Sequence, residues 1–220
     1  MSKIKIGFIG LGVMGFPMAG HLANNGYELF IYNRTESKAN KWLEKYRGTK
    51  CSNLSELAEN SEIIISCVGQ DEDLKEIFEG KNSILESLKS DSIIIDHTTA
   101  SAKIAKYFFD KCKKLNIGFI DAPISGGQAG AENAALSIMV GGEEKDFIKV
   151  KDILNCYGKK ISLIGKSGSG QMCKMVNQIC IAGLVQGLSE ALSFGIKSNL
   201  DMTKVLDVIS KGAAQSWQMD

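Results

Sequence analysis

Short apolar runs alternate with amphipathic stretches as far as residue 164, where the pattern changes. The runs Ile4-Lys5-Ile6-Gly7-Phe8-Ile9, Tyr27-Glu28-Leu29-Phe30-Ile31-Tyr32, Glu62-Ile63-Ile64-Ile65-Ser66-Cys67-Val68, Ser92-Ile93-Ile94-Ile95-Asp96, Gly118-Phe119-Ile120-Asp121, Leu136-Ser137-Ile138-Met139-Val140 and Ile161-Ser162-Leu163-Ile164 read as strands. Continuous apolar runs of this kind mark strands buried on both faces, as in a parallel sheet. Helical patterns fall between them, at Glu36 to Tyr46, near Leu54-Ser55-Glu56-Leu57 and from Ser101 to Leu115. The alternation predicts an α/β fold, a doubly wound sheet over residues 1–164. Gly165-Lys166-Ser167-Gly168-Ser169-Gly170 breaks the pattern, and everything after it, residues 165–220, reads as helix. A long interdomain helix is expected over about 168–198, with little polar alternation, and a second from Met202 to Lys211 with Asp201 as N-cap. Two helices cannot enclose a core of their own, so they must pack on the first domain, on another subunit or on further chain.

The first turn carries the most specific signal. Gly10-Leu11-Gly12-Val13-Met14-Gly15 sits between the first strand and a helix, and a second strand follows. G-x-G-x-x-G in that context is the dinucleotide-binding fingerprint of a Rossmann βαβ unit. The first glycine allows the sharp turn, the second lets the backbone approach a pyrophosphate, and the third lets helix and strand pack closely. An acidic residue after the second strand would accept hydrogen bonds from the adenosine ribose and repel a 2′-phosphate. This chain has Asn33, Arg34 and Thr35 there instead. A guanidinium fork and a hydroxyl suit a phosphate dianion, so NADP(H) is expected over NAD(H).

Composition agrees with a globular enzyme and excludes other classes. Of 220 residues, 44% are hydrophobic, and the formal net charge is +1. No basic stripe points to nucleic acid, and Lys111-Cys112-Lys113-Lys114 reads as a helix end, where lysine favours the dipole. The six cysteines and two histidines form no C-x-x-C pair and no metal-ligand spacing, so no metal is expected. Reduced, mostly buried thiols in a cytoplasmic protein fit this usage. Lys3 and Lys5 precede an apolar, small-residue run, but Gly7, Gly10, Gly12 and Gly15 would weaken the helix of a signal peptide. The apolar stretch Ile179 to Ile196 contains Gln186, Ser189 and Glu190, which suits a buried helix better than a membrane span.

Ligands of open α/β sheets bind beyond the carboxyl ends of the strands. Three segments lie there: Val68-Gly69, His97-Thr98-Thr99, and Ala122-Pro123-Ile124-Ser125-Gly126-Gly127. Consecutive glycines after a serine let backbone N–H groups converge in a nest that can hold a carboxylate. As an isolated tripeptide, Ser-Gly-Gly is more often only a turn. On the long helix, Lys174, Asn177 and Gln178 stand at i, i+3 and i+4, one amine and two amides on one face. A partly desolvated lysine near a cationic nicotinamide has the lowered pKa that a proton shuttle needs. By spacing alone the same trio also fits a solvated surface.

Three motifs together resemble the β-hydroxyacid dehydrogenase family: Gly7 to Ala19, Asp121 to Gly127, and Gly168 to Gln178. They occur in the family's order and span the chain. The family includes 3-hydroxyisobutyrate dehydrogenase, tartronate semialdehyde reductase and the glyoxylate/succinic semialdehyde reductases. The resemblance implies an all-α C-terminal domain after the Rossmann domain. It implies that Gly10, Leu11, Gly12, Val13, Met14 and Gly15 cover the pyrophosphate, that Asn33, Arg34 and Thr35 hold the 2′-phosphate, and that Val68 and Thr99 lie against the nicotinamide half. It further implies that Ser125, Gly126 and Gly127 hold the carboxylate of a small substrate, and that Lys174 is the acid/base for interconversion of a β-hydroxyacid and its semialdehyde.

The chain departs from the family pattern in three places. Some relatives have asparagine four residues after the lysine, where this chain has Gln178, so whether Asn177 or Gln178 orients the substrate stays open. Many relatives have glycine near Ala134. Relatives also continue into further helices that include a lysine-aspartate motif reaching the cofactor, so the helical domain is expected to be incomplete here. The exposed apolar face of the terminal helices points to a homo-oligomer, a dimer or tetramer. Two alternatives share the fold: an imine reductase, which generally replaces the lysine, and a non-catalytic NADP-binding module.

Overall fold

The computed structural model describes residues 4–219; the first three residues and Asp220, which belong to the two expected domains, lie outside the described residues. The elements are β1 (Lys5–Ile9), α1 (Gly15–Asn24), β2 (Glu28–Tyr32), α2 (Glu36–Lys45), β3 (Thr49–Lys50), α3 (Leu54–Glu59), β4 (Ile63–Ser66), α4 (Asp71–Glu79), α5 (Ile84–Ser87) and β5 (Ile93–Asp96). They continue with α6 (Ala102–Lys114), β6 (Gly118–Asp121), β7 (Ile124–Ser125), α7 (Gly127–Glu132), β8 (Leu136–Gly141), α8 (Glu144–Asn155), β9 (Gly158–Gly165), α9 (Ser169–Lys197), α10 (Met202–Ile209) and a 3-10 turn at Trp217–Met219.

Among the described residues one sheet runs β3-β2-β1-β4-β5-β6-β8-β7, with β9 paired to β8. The first six strands follow the doubly wound order of dinucleotide-binding domains, whose connections reverse between β1 and β4. Those strands are parallel, whereas β8 runs antiparallel to β6 and β7. The expected doubly wound sheet is thus present, and it is mixed at the edge that carries β7 and β8. The segment from β7 through the short α7 to β8 is too brief for a parallel crossover, which needs a dozen or more residues.

The apolar runs of β1, β4 and β5 are buried on both faces, as their composition requires, whereas the run in β9 is not, with Ile164 47% exposed. Ile6, Ile63 and Ile93 lie in register across β1, β4 and β5. Side chains alternate across a strand, so Ile6, Phe8, Ile63, Ile65, Ile93 and Ile95 enter one core with Met18, Leu22 and Trp42. Ile9, Ile64 and Ile94 enter the other, with Phe78, Phe108 and Phe119. Ala134 adopts φ 52°, the left-handed region that favours glycine.

Two compact units divide the chain, one ending at Lys174 and the other starting at Met175. In the second, α10 is capped by Asp201, whose Oδ1 accepts from Thr203 N at 3.1 Å. A Cβ on Gly195 would stand 2.6 Å from Met202 Sδ, so α9 and α10 meet closely at their junction. The expectation that Ile179 to Ile196 forms a buried helix is corrected: Ile179 is 72% exposed and Phe194 70%. The physical reason is that two helices of this length leave most of their apolar surface uncovered. By length and composition α9 could cross a membrane, with mean hydropathy 1.6 over its most apolar window, of which 6% is buried.

Candidate active site

The glycine turn opens a cleft of about 380 Å³ at the carboxyl ends of β1, β2 and β4. Gly10, Gly12, Val13, Met14, Gly15, Asn33, Arg34, Thr35 and Val68 line it, which brings together most of the residues the sequence assigned to the cofactor. Gly10 has φ 94°, and a Cβ there would collide with the Cys67 carbonyl. A Cβ on Gly12 would meet no atom within 4 Å, so the chain offers bare backbone to open space. Helix α1 starts with no side-chain cap; Phe16 N donates to the Gly12 carbonyl at 3.0 Å and Pro17 carries no N–H, so of its first three residues Gly15 has the N–H left for an anion. Leu11 is buried, and its N–H donates to Asn33 Oδ1 at 2.8 Å, which ties the turn to the end of β2. These features fit a dinucleotide pyrophosphate.

Arg34 projects into solvent, its Nη1 3.2 Å from Asp73 Oδ1 and 3.7 Å from Glu76 Oε2. Asp73, Glu76 and Lys38 line the same cleft. Sequence reasoning passed over all three, because α2 read as an ordinary charged helix and α4 was not assigned at all, so nothing local marked the face they turn to the cleft.

Buried polar groups cluster where β4, β5 and β6 end. Asp96 Oδ1 accepts from Ser66 Oγ at 2.9 Å and from Thr98 N at 3.1 Å, while its Oδ2 has no partner among the described residues. Burial pushes the Asp96 carboxyl up to about 7, although the bonds from Thr98 and Ser66 pull the other way. Burial also lowers His97 to about 4, so its ring is neutral at ordinary pH. With Nδ1 2.6 Å from the Ala122 carbonyl, that nitrogen must donate, and Nε2 accepts from the Tyr157 hydroxyl at 2.8 Å. Val68 N donates to Thr98 Oγ1 at 3.1 Å, linking the cleft wall to the segment after β5. Thr99 itself is exposed and lies outside the cleft lining.

Ser125 ends β7, and Gly126 and Gly127 follow with φ 134° and 61°. Positive φ at both explains the glycine pair in this turn. Lys174 lies on α9 and is 8% exposed, and burial lowers its pKa. No hydrogen bond or ion pair to its ammonium is found among the described residues. Asn177 and Gln178 belong to the second unit, where Asn177 Nδ2 donates to Gln178 Oε1 at 3.1 Å. Sequence reasoning missed Gln171 and the role of Asp121, two fully buried residues at the start of α9 and the end of β6. Their partners lie 47 to 73 residues away in sequence, so no local signal marks them. The cysteines form no disulfide, and burial pushes the Cys51 and Cys112 thiols up to about 11 and about 12.

Strand order, glycine turn and cleft together define a dinucleotide-binding domain. Comparison with known proteins agrees. Residues 5–165 match the NAD-binding domain of 6-phosphogluconate dehydrogenase, and residues 168–220 match the NAD-binding domain of NADP-dependent 3-hydroxyisobutyrate dehydrogenase. An uncharacterized oxidoreductase of Shewanella frigidimarina is 51% identical over 98% of this chain and 74% of its own length. Mouse mitochondrial 3-hydroxyisobutyrate dehydrogenase is 33% identical over 100% of this chain and 65% of its own length. The solved structure of Mycobacterium tuberculosis 3-hydroxyisobutyrate dehydrogenase with L-serine is 25% identical, with a TM-score of 0.88 over 98% of this chain and 73% of that one. The chain belongs to the 3-hydroxyisobutyrate dehydrogenase family of NAD(P)-binding oxidoreductases.

Proposed function

We propose that this protein interconverts a small β-hydroxyacid and its semialdehyde with NADP(H), and that Lys174 is the acid/base. The observation that carries the reading is a desolvated lysine on α9, in a chain whose first unit is built around a bare-backbone nucleotide cleft. The cofactor, held by Gly10 to Gly15 and Asn33 to Thr35 with Val68 and Thr99 toward its nicotinamide, supplies or accepts the hydride. Arg34 exchanges its carboxylate partners for the 2′-phosphate, a stronger anion for a guanidinium fork. The backbone N–H groups of Ser125, Gly126 and Gly127 hold the substrate carboxylate, and an amide of Asn177 or Gln178 orients it. In reduction, Lys174 Nζ gives its proton to the oxygen that becomes the alkoxide; in oxidation it takes that proton back. Burial lowers the Lys174 pKa, so it gives up its proton more readily than an exposed lysine would.

The test follows loss of reduced-nicotinamide absorbance with NADPH and NADH in parallel against glyoxylate, tartronate, methylmalonate and succinic semialdehydes. Turnover with NADPH on one or two of them supports the reading. Reduction of cyclic imines alone supports an imine reductase, and tight NADPH binding with no turnover supports a binding module. An NADH preference removes the role given to Arg34.

A further inference from the structure

Gln171 is fully buried in the first turn of α9, and its backbone N–H and both polar ends of its side chain have partners. Its side-chain oxygen accepts from Ala100 N at 3.1 Å, and its side-chain nitrogen donates to the Thr98 carbonyl at 2.7 Å. A side-chain amide thus pairs with the backbone on either side of Thr99, much as a neighbouring strand would. Its own backbone N–H donates to Asp121 Oδ2 at 3.0 Å, and Asp121 Oδ1 accepts from Gly168 N at 2.7 Å. One buried carboxylate at the end of β6 therefore caps the start of the helix. The turn sits hard on the sheet, because a Cβ on Gly170 would stand 2.6 Å from the Asp121 carbonyl oxygen.

These bonds form a continuous path. Val68 lines the nucleotide cleft and donates to Thr98 Oγ1; Thr98 and Ala100 are gripped by Gln171; Lys174 follows Gln171 by three residues on the same helix. Residues at i and i+3 share a helix face, so a shift of the first turn is a shift of the lysine. We infer that Gln171 is a positioning residue, fixing Lys174 relative to the Thr98–Ala100 segment and, through it, to the nicotinamide end of the cleft. The inference rests on the acid/base role proposed for Lys174. Capping by Asp121 alone would hold the helix end to β6 but would not tie it to the segment bearing Thr99, which is the part Gln171 adds.

The test uses Gln171→Met, which keeps length and helix propensity but removes the amide, and Gln171→Asn, which keeps the amide but shortens its reach. In both, kcat for aldehyde reduction should fall at least tenfold, because about 1 Å of misplacement can cost about 100-fold. The aldehyde KM and the NADPH Kd should stay within about threefold of wild type, with the rate expressed per NADPH-binding site so that misfolded protein is not counted. Unchanged kcat, or a loss that falls equally on NADPH affinity, overturns the inference while leaving the proposed reaction standing. If the wild type reduces no aldehyde, the proposed reaction falls, and amide hydrogen exchange then decides whether the strap exists. Protection of the Ala100 amide should drop in Gln171→Met and persist in Lys174→Met; equal protection in both overturns the strap.

Discussion

The two units use apolar residues to different ends. In the first, Phe8, Ile64 and Ile94 are fully buried between sheet and helices. In the second, Ile179, Phe194, Val208 and Trp217 each stand 70% exposed or more, and no residue of α10 is buried. An apolar pattern says that a surface must leave water, and strand periodicity also says where, because neighbouring strands and helices supply the cover. A helix such as α9, apolar around much of its circumference, carries no such address. The difference is one of partners rather than of sequence hydrophobicity.

The comparison breaks most sharply under paired truncations. Phe8→Ala should lower the unfolding free energy by about 3–5 kcal/mol, the usual cost of a large aromatic cavity. Phe194→Ala should change it by less than about 0.5 kcal/mol, as exposed sites do. Urea titrations of both variants read the contrast, and an equal loss at Phe194 would show that its face is covered in solution.

A buried charge sharpens the picture of the first unit. The Asp96 carboxyl titrates at about 7 in the folded protein against an ordinary 3.8, so the folded state keeps a proton that the unfolded chain has released between those values. Stability from this group is therefore fullest below about pH 4 and falls as pH rises to about 7, by an amount on the order of a few kcal/mol. Asp96→Asn keeps an acceptor for Ser66 and Thr98 and removes the titration. Its unfolding free energy should change less than that of the wild type between pH 5 and pH 8. An unchanged slope would mean that Asp96 is ionised throughout.

The first unit was legible where one local pattern implies one structure. The run of isoleucines in β4 and the spacing Gly10, Gly12, Gly15 each have a single physical solution, and both formed as expected. Helices α4 and α8 went unassigned although Leu74, Ile77 and Phe78, and Val150, Ile153 and Leu154, follow helical spacing and are buried. Their charged residues gave the stretches the look of loops. Helix α7 was hidden by its glycines, and β3 and β7 by their two-residue length. The strap from Gln171 to Thr98 and Ala100 depends on chain segments meeting from 71 and 73 residues apart, which periodicity does not report.

Smaller effects test the cleft and its borders. Arg34→Ala should weaken NADPH binding about tenfold, the worth of one charge-assisted contact at an exposed site, and leave NADH within about twofold. Calorimetric titration with both cofactors reads this, and equal losses would place Arg34 away from the 2′-phosphate. Ala134→Gly should stabilise the first unit by roughly 1 kcal/mol, since a Cβ in the left-handed region costs about that much. Thermal unfolding of that variant should show a small rise, whereas a fall would mean that glycine's chain entropy outweighs the relief.

Single-turnover hydride transfer from NADPH to the best aldehyde, compared between wild type and Lys174→Met, tests the central claim most directly. The account predicts a rate lower by roughly 10²- to 10⁴-fold with NADPH affinity unchanged. A variant that transfers hydride at the wild-type rate would contradict it and move the proton donor elsewhere.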